Sequence, residues 1–188
     1  MMRRDPQRPH AGTDEASPTG ALYRGRYTAA MPEDFVVFLI GMRLNRPWKV
    51  HRWLPAFFAM PRMLRWLERH PEAGLLKWHN AWINGPAVVQ YWRSFEQLER
   101  FARAGDQPHL PVWKWFNHAI RGCGDVGIWH ETYKVRAGEY ECIYVSMPRF
   151  GLAAAGVHTP IGSAGQSAAR RIGATTADQP ALTPYPNP

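Results

Sequence analysis

The feature that most constrains the fold of this chain is the Asn84-Gly85 pair, which lies between two segments rich in β-branched and aromatic residues. Asn-Gly is the preferred pair for a two-residue hairpin turn, because both positions tolerate the positive φ that such a turn requires. The flanking segments, 75–83 and 87–93, have the composition of β-strands. The sequence therefore predicts an antiparallel β-hairpin, around which a sheet must be built.

The segment before the hairpin predicts a strand followed by a helix. Residues 35–42 are apolar and β-branched and are too few for a buried helix, which predicts a strand covered on both faces. Between 53 and 67, apolar side chains recur at helical spacing with arginines between them. This pattern predicts an amphipathic helix that is kinked or split at Pro61 and has Pro71 beyond its end.

The segment after the hairpin predicts helices and then two strands. Ser94 is a typical helix N-cap, and Gln97 stands three residues later, where it would complete a capping box. A second short helix is predicted over 112–120, and strands are predicted over 126–135 and 140–145. The order of the core elements is thus β, α, β, β, α, α, β, β.

This order is the split β-α-β pattern of a ferredoxin-like fold, an α+β architecture in which helices cover one face of an antiparallel sheet. The other face also needs a cover, because both sides of several strands are apolar: Val88 and Trp92 alternate with Val89 and Tyr91. A homodimer in which two sheets close into a barrel would supply that cover. The sequence therefore predicts a dimeric α+β barrel.

Composition divides the chain into a core and two tails. Residues 31–150 carry the periodic apolar patterns, whereas 1–30 and 151–188 are rich in Pro, Gly, Ala, Ser and Thr. Segments of that composition bury too little apolar surface to offset the entropy of ordering, so both tails are predicted to be mostly disordered. Short pieces over 22–27 and 150–155 are expected to dock on the core.

Charge and cysteine content narrow the class of protein. The net charge is +8, and residues 31–150 carry +5 of it without a basic stripe interleaved with aromatics, so nucleic acid is not favoured as a partner. The two cysteines, Cys123 and Cys142, form neither a disulfide scaffold nor a CxxC metal motif. The first thirty residues contain no apolar signal region, and no apolar run approaches the roughly 20 residues of a membrane span. We expect a cytoplasmic protein with no membrane partner and no metal.

Histidine 130 is the strongest candidate for a catalytic group, since none of the common phosphate, nucleophile or zinc motifs is present. It lies in the middle of a predicted strand, where an imidazolium would be poorly solvated, so it could serve as a base facing a cavity. A neutral core histidine is the alternative. Arg93 could hold an anionic or enolate-like oxygen, although an arginine at a strand end is often simply solvated. Tyr91 is a polar group among apolar ones and must find a hydrogen-bond partner if it is buried.

Aromatic residues are unusually dense on the predicted strands, with nine tryptophans in the chain. Strand alternation places Trp78 on the face opposite His79, and His130 on the face opposite Trp129 and Glu131. Packing explains such aromatics equally well, but they could also line a flat apolar cavity for an aromatic or polyketide-like ligand. The candidate ligand-binding residues are Trp78, Trp92, Trp129, Gln90 and Phe38.

Four segments of the core resemble a family of short bacterial and fungal proteins grouped as monooxygenases. The resemblance covers roughly residues 30–155, and the segments that carry it are 38–45, 48–53, 89–99 and 127–133. The family is a branch of the dimeric α+β barrel superfamily, which also holds antibiotic-biosynthesis monooxygenases, haem-containing aldoxime dehydratases and chlorite dismutases. The resemblance therefore implies the ferredoxin-like fold and the homodimer.

The resemblance also implies a chemistry. Monooxygenases of this superfamily often use no metal or flavin: they deprotonate an electron-rich phenol or polyketide, and the carbanion reduces oxygen directly. That reaction needs a buried base, a donor to the enolate oxygen and a dry aromatic cavity. His130, Arg93 with Tyr91, and Trp92 with Trp129 would fill these roles.

Two other functions remain open at this point. A haem enzyme of the same superfamily would use His118 or His130 as its axial ligand. A non-catalytic dimer that binds a hydrophobic small molecule would use the same aromatics for packing alone. The leading expectation is a cofactor-independent oxidoreductase that oxidises a hydrophobic, enolisable substrate.

Overall fold

The computed structural model describes residues 21–104, 114, 123–163 and 165–177. One sheet and its helices are built from β2 (Phe35–Leu44), α1 (Val50–Arg69), β3 (Leu75–Trp82), β4 (Pro86–Trp92), α2 (Phe95–Arg103) and β5 (Val126–Val135). A second sheet and its short helices are built from β1 (Tyr23–Ala30), β6 (Tyr144–Met147), α3 (Leu152–Ala155), β7 (Val157–Pro160) and α4 (Ala168–Arg171). The predicted helix over 112–120 and His118 lie outside the described residues.

The larger sheet has the strand order β3-β4-β2-β5, and every neighbouring pair is antiparallel. The two helix crossovers, β2-α1-β3 and β4-α2-β5, interleave, which is the split β-α-β arrangement. The ferredoxin-like α+β fold predicted from the order of elements is therefore confirmed. Ile40 on the central strand lies opposite Val88 on one side and His130 on the other.

The main core lies between this sheet and its two helices. Its buried members come from β2, β4, α1 and α2: Val36, Met63, Leu67, Trp92, Leu98 and Phe101. Trp92 is fully buried, its ring packs against Phe101, and its Nε1 donates a hydrogen bond to Oε1 of Gln90 at 2.8 Å. Burial of one large indole with its polar atom satisfied fixes β4 against the helices.

Helix α1 runs unbroken through Pro61, so of the two expected effects of this proline, a kink or a split, the split does not occur. Four buried residues, Ala59, Met63, Leu64 and Leu67, hold the helix on the sheet across the proline. The stability gained from this packing exceeds the stability lost with the backbone hydrogen bond that a proline removes, because tertiary contacts supply most of the stability of such a helix.

The local signals around α2 and the hairpin are largely confirmed. Ser94 caps α2, its Oγ accepting from the backbone N–H of Gln97 at 3.2 Å, but the Gln97 side chain donates to the carbonyl of Glu72 and so does not complete the capping box. In the hairpin, Asn84 has φ +53° and Gly85 has φ +143°. A side chain on Gly85 would collide with the carbonyl oxygen of Met42, so this turn requires glycine.

The second sheet uses segments that composition placed in the tails. Its order is β6-β1-β7, with β1 from the predicted N-terminal tail and β7 from the predicted C-terminal tail. The predicted strand over 140–145 is shifted to β6 and belongs to this sheet. The pieces over 22–27 and 150–155 dock on the core as expected, and the ordered structure continues beyond them into β7 and α4. One reason is that small residues such as Ala153, 1% exposed, allow the chain to approach Phe35 closely.

The second sheet and α3 cover part of the face of the larger sheet that the helices leave open. Phe35, Val37 and Tyr91 pack there against Leu152 and Ala153. Part of the cover that the sequence assigned to a second copy of the chain is thus supplied by the chain itself. None of the helices in the described ranges has both the length and the apolar character needed to cross a bilayer.

Candidate functional site

A cavity of about 770 Å³ lies between α1 and the helix-facing side of the larger sheet. Its walls are apolar and rich in aromatic and methionine side chains. Residues from α1 form the roof, and residues from all four strands form the floor. Volume and composition are typical of sites that bind drug-sized hydrophobic ligands.

Few polar side chains reach this cavity. Among the described lining residues they are Asn80, His130 and the indoles of Trp78 and Trp82. The Trp78 Nε1 already donates to Glu68 at 2.9 Å. Asn80 and His130 occupy one row of the sheet with Val88 and Ile40 between them, so about 14 Å separates their strands. The cavity therefore offers one polar group at each side of a long apolar floor.

His130 lies at the rim of the cavity, with its ring 5.7 Å from that of Phe38. The sequence predicted a poorly solvated imidazole in the middle of a strand, but the structure shows an exposed one. The reason is that β5 is an edge strand of the larger sheet within the described part of the chain. His130 combines access to solvent protons with contact to an apolar cavity.

The predicted ligand-binding residues divide between several places. Trp78 lines the large cavity, while Phe38, Gln90 and Trp92 line a small adjoining space of about 40 Å³ at its inner end. Trp92 and the buried Gln90 bind each other there. Trp129 lies on the opposite face of the sheet, where its indole covers Gly41.

The three predicted catalytic residues are not brought together within one chain. Tyr91 is on the face opposite His130, packed beside His79 and Leu152. Arg93 is exposed just beyond β4, and its backbone N–H donates to the carbonyl of Gly74 at 2.8 Å. Of that set, His130 alone reaches the cavity, and Asn80 is the polar residue that sequence reasoning missed. Its strand position on the face of Trp78 was the available signal.

Substitution of Gly41 by alanine is expected to displace Trp129. A Cβ at position 41 would lie 2.7 Å from the indole, and Trp129 is on an edge strand where it has room to move, so we expect a loss of about 1–2 kcal/mol of unfolding free energy. Urea unfolding and tryptophan fluorescence would measure it. The control is Gly127→Ala, where the nearest atom is 3.7 Å from the added Cβ. Equal losses in both variants would contradict this account.

A second group of polar residues lies on the opposite face, beneath α3. The backbone N–H of Gly151 donates to His79 Nε2 at 2.9 Å, and the N–H of Ala153 donates to the Tyr144 hydroxyl at 3.3 Å. Burial raises the pKa of Tyr91 and of Tyr144, so both phenols stay protonated near neutral pH. His79 and Tyr144 accept hydrogen bonds from backbone N–H groups at the start of α3, and Tyr91 packs against the same segment. These three side chains therefore hold α3 in place.

Stability is expected to fall as the pH drops below 6.5, because His79 must stay unprotonated to accept the Gly151 N–H. Burial lowers the pKa of His79, and Lys77 lowers it further. The unfolded chain therefore takes up a proton at a higher pH than the folded chain, and the contribution of His79 is complete above pH 6.5 and lost below it. His158, whose pKa burial also lowers, acts in the same direction.

The measurement is Tm between pH 7.5 and 5.5 for the parent and for His79→Gln. Glutamine cannot become charged, so the variant should lose less Tm over this interval than the parent. An identical fall in both proteins would show that His79 does not carry the effect.

No cluster of three or more His, Cys, Asp or Glu side chains able to hold a metal ion occurs in the described ranges. His118, the other predicted haem ligand, lies outside them. Among the described residues that line the large cavity, His130 carries the imidazole that could bind a haem iron.

The chain is similar to known proteins both in sequence and in fold. The sequence profile of a family described as "Monooxygenase af470-like" matches residues 35–152, which span the larger sheet and its helices. The protein "Monooxygenase af470" of Aspergillus fumigatus is 29% identical in an alignment of 149 residues, which covers 66% of this chain and 52% of that protein. The chain thus spans about half the length of this relative.

A crystal structure of aldoxime dehydratase superposes with a TM-score of 0.55 and 16% identity, over 74% of this chain and 44% of that one. At this identity the similarity shows a shared architecture, in agreement with the ferredoxin-like arrangement of the larger sheet.

Proposed function

The chain belongs to the monooxygenase af470-like family, and on that premise we propose that it is a monooxygenase that oxidises a flat, hydrophobic, enolisable substrate held between α1 and the sheet. The observation that supports this most is the apolar cavity of about 770 Å³ with His130 on its rim. Asn80, across the floor, would fix the far end of the substrate by a hydrogen bond.

In the proposed reaction, unprotonated His130 removes a proton from an activated CH₂ group of the substrate. The resulting carbanion transfers electrons to O₂, and a C–O bond forms to give a peroxide. The peroxide takes the proton held by His130, and His130 then removes the second C–H proton as the O–O bond breaks. This leaves a carbonyl, and the departing hydroxide takes the second proton from His130 and leaves as water. The substrate supplies all four electrons, so no cofactor is needed, and the apolar walls protect the carbanion from water.

Ligand binding in this cavity is expected to be blocked by Ala59→Phe. Ala59 is buried on α1 and lines the roof, so a phenyl ring there would occupy the space of the substrate. We expect at least a tenfold loss of affinity for 1-naphthol, a neutral enolisable probe, measured by quenching of tryptophan fluorescence. Ala30→Phe, at an exposed position on β1, is the control and should bind as the parent does. Unchanged binding by Ala59→Phe would place the site elsewhere.

A haem enzyme is the second candidate, because His130 presents an imidazole to a cavity with the apolar character that a porphyrin prefers. His130 would hold the iron, which would supply oxygen or redox chemistry, and α1 would exclude water. No Arg or Lys is among the described lining residues, so the propionates would have to extend to solvent at the rim.

An absorption spectrum from 300 to 700 nm of protein purified without added cofactor separates the two candidates. A Soret band that disappears in His130→Ala would overturn the cofactor-independent proposal in favour of haem. A featureless spectrum, together with oxygen uptake driven by an enolisable aromatic, would support it.

A further inference from the structure

Large apolar side chains are exposed around the mouth of the cavity. Phe57, Trp82 and Ile128 line the cavity and are also 39%, 77% and 44% exposed. Phe58, 57% exposed, contacts Phe57 edge-on at 5.6 Å, and Ile83 follows Trp82 in the hairpin turn. We call this set, with Trp48, the aromatic rim.

Trp48 extends the rim along the loop before α1. It is 73% exposed and follows Pro47, whose carbonyl accepts from Trp53 at 2.9 Å, and the Trp53 ring contacts Phe57. A tryptophan exposed to this degree gains little from packing within the chain. Two such tryptophans and two phenylalanines at one end of the fold exceed the scattered apolar exposure that is normal for a protein surface.

Positive charge is concentrated in the same place. Residues 45–69, the loop and α1, contain six Arg and Lys against one Glu, a net +5, which equals the net charge of the whole 31–150 segment. Arg46 and Lys49 bind the buried Asp125 at 2.8 and 3.0 Å, which reduces the net charge of this surface from +5 to +4. Arg62 and Arg65 are exposed on α1, one and two turns beyond Phe58.

We propose that the aromatic rim and the basic surface of α1 dock on an anionic lipid bilayer, with the mouth of the cavity turned toward the lipid. Surfaces that lie in a membrane interface combine exposed Trp and Phe with Arg and Lys. The aromatic rings lie at headgroup depth, and the cationic side chains bind anionic lipids. A hydrophobic ligand dissolved in the lipid would then enter the cavity without crossing water. This surface association requires no spanning helix, and it revises the expectation that the chain has no membrane partner.

A second copy of the chain fits this surface less well. In a two-fold dimer through the rim, the basic stretch of one copy would face the same stretch of the other, and like charges across an interface oppose association. An anionic surface has the complementary charge. The proposal does not depend on the reaction proposed above.

The test is co-sedimentation of the full chain with vesicles of 30% phosphatidylserine in phosphatidylcholine and with vesicles of phosphatidylcholine alone. Binding is expected to the anionic vesicles, and to weaken at 0.5 M salt. Trp48→Ala with Phe58→Ala, which lie outside the cavity, should weaken binding at least tenfold. Arg62→Gln with Arg65→Gln should weaken it roughly fivefold per arginine.

Matched controls come from other surfaces of the chain. Leu22→Ala with Val157→Ala removes two apolar side chains that are more than half exposed, one just before β1 and one on β7. Arg100→Gln with Arg103→Gln removes two arginines on α2. Both control pairs should bind vesicles as the parent does. Absence of binding to the anionic vesicles, or equal losses in rim and control variants, would overturn the proposal. A shift from dimer to monomer in Trp48→Ala with Phe58→Ala would also overturn it, in favour of a second copy.

Discussion

Replacement of Trp92 by alanine is expected to lower the free energy of unfolding by about 3–5 kcal/mol, the range for loss of a large buried aromatic residue. Its indole is fully buried among residues of both helices and of the central strand. The space left would join the void of about 40 Å³ that already lies beside Trp92. The buried Gln90 would in addition lose the donor to its carbonyl oxygen, and an unsatisfied buried polar atom has its own cost.

Urea unfolding followed by circular dichroism would measure this loss. Trp82→Ala is the matched control, because the same atoms are removed from a side chain that is 77% exposed, and we expect a change within about 0.5 kcal/mol. A loss below about 1.5 kcal/mol for Trp92→Ala, or a similar loss for Trp82→Ala, would show that the core is not centred on β4 and the helices.

Replacement of His130 by alanine is expected to reduce the rate of oxygen uptake with an enolisable aromatic by about 10²- to 10⁴-fold, the usual contribution of a general base. The loss of stability should be small, because the side chain is exposed on an edge strand. Added imidazole should restore part of the rate, since the small base can enter the space at the rim. Chemical rescue of this kind distinguishes a base from a residue that only supports the structure.

Thr132→Ala is the matched control for His130. Thr132 is two residues further along β5, on the same face and also exposed, but it is not among the residues that line the cavity. Its rate should stay within twofold of the parent. Full oxygen uptake by His130→Ala would reject the base and leave simple binding of a hydrophobic molecule as the function of the cavity.

Much of the larger sheet was predictable because its signals are local. Asn84-Gly85 specifies a hairpin turn through positive φ angles, and Ser94 specifies a helix start through one side-chain hydrogen bond. The order of strands and helices then leaves few topologies to choose from. These inferences need contacts only between residues that are close in sequence.

The candidate site was harder to predict because both faces of the strands are apolar. Strand alternation separated Trp92 from Tyr91 correctly, but it could not say which face the helices would cover. The resemblance to the monooxygenases grouped Tyr91 and Trp129 with His130, although they lie on the far side of the sheet. The exposure of His130 follows from the position of β5 at an edge, which depends on pairing with β2 about 90 residues earlier in the chain.

The second sheet was missed because nothing local specifies it. Strand β7 is four residues long, and α3 consists of one leucine and three alanines. These segments are ordered because β7 pairs with β1 and because Leu152 and Ala153 pack against Phe35. Composition measures how much apolar surface a segment carries. It therefore underestimates how well a segment with small, closely packed side chains is ordered.

The pairing of β1 with β7 also sets the order of assembly. Ala30 is opposite Val157, so this ladder closes a loop of nearly the whole described chain, whereas the hairpin of β3 and β4 closes within a few residues. The entropy of loop closure favours the hairpin and its helices first and the second sheet last. Amide hydrogens of β1 and β7 should accordingly exchange with solvent faster than those of β2 and β4. The half of the molecule that holds the cavity would thus persist through openings that release β1 and β7.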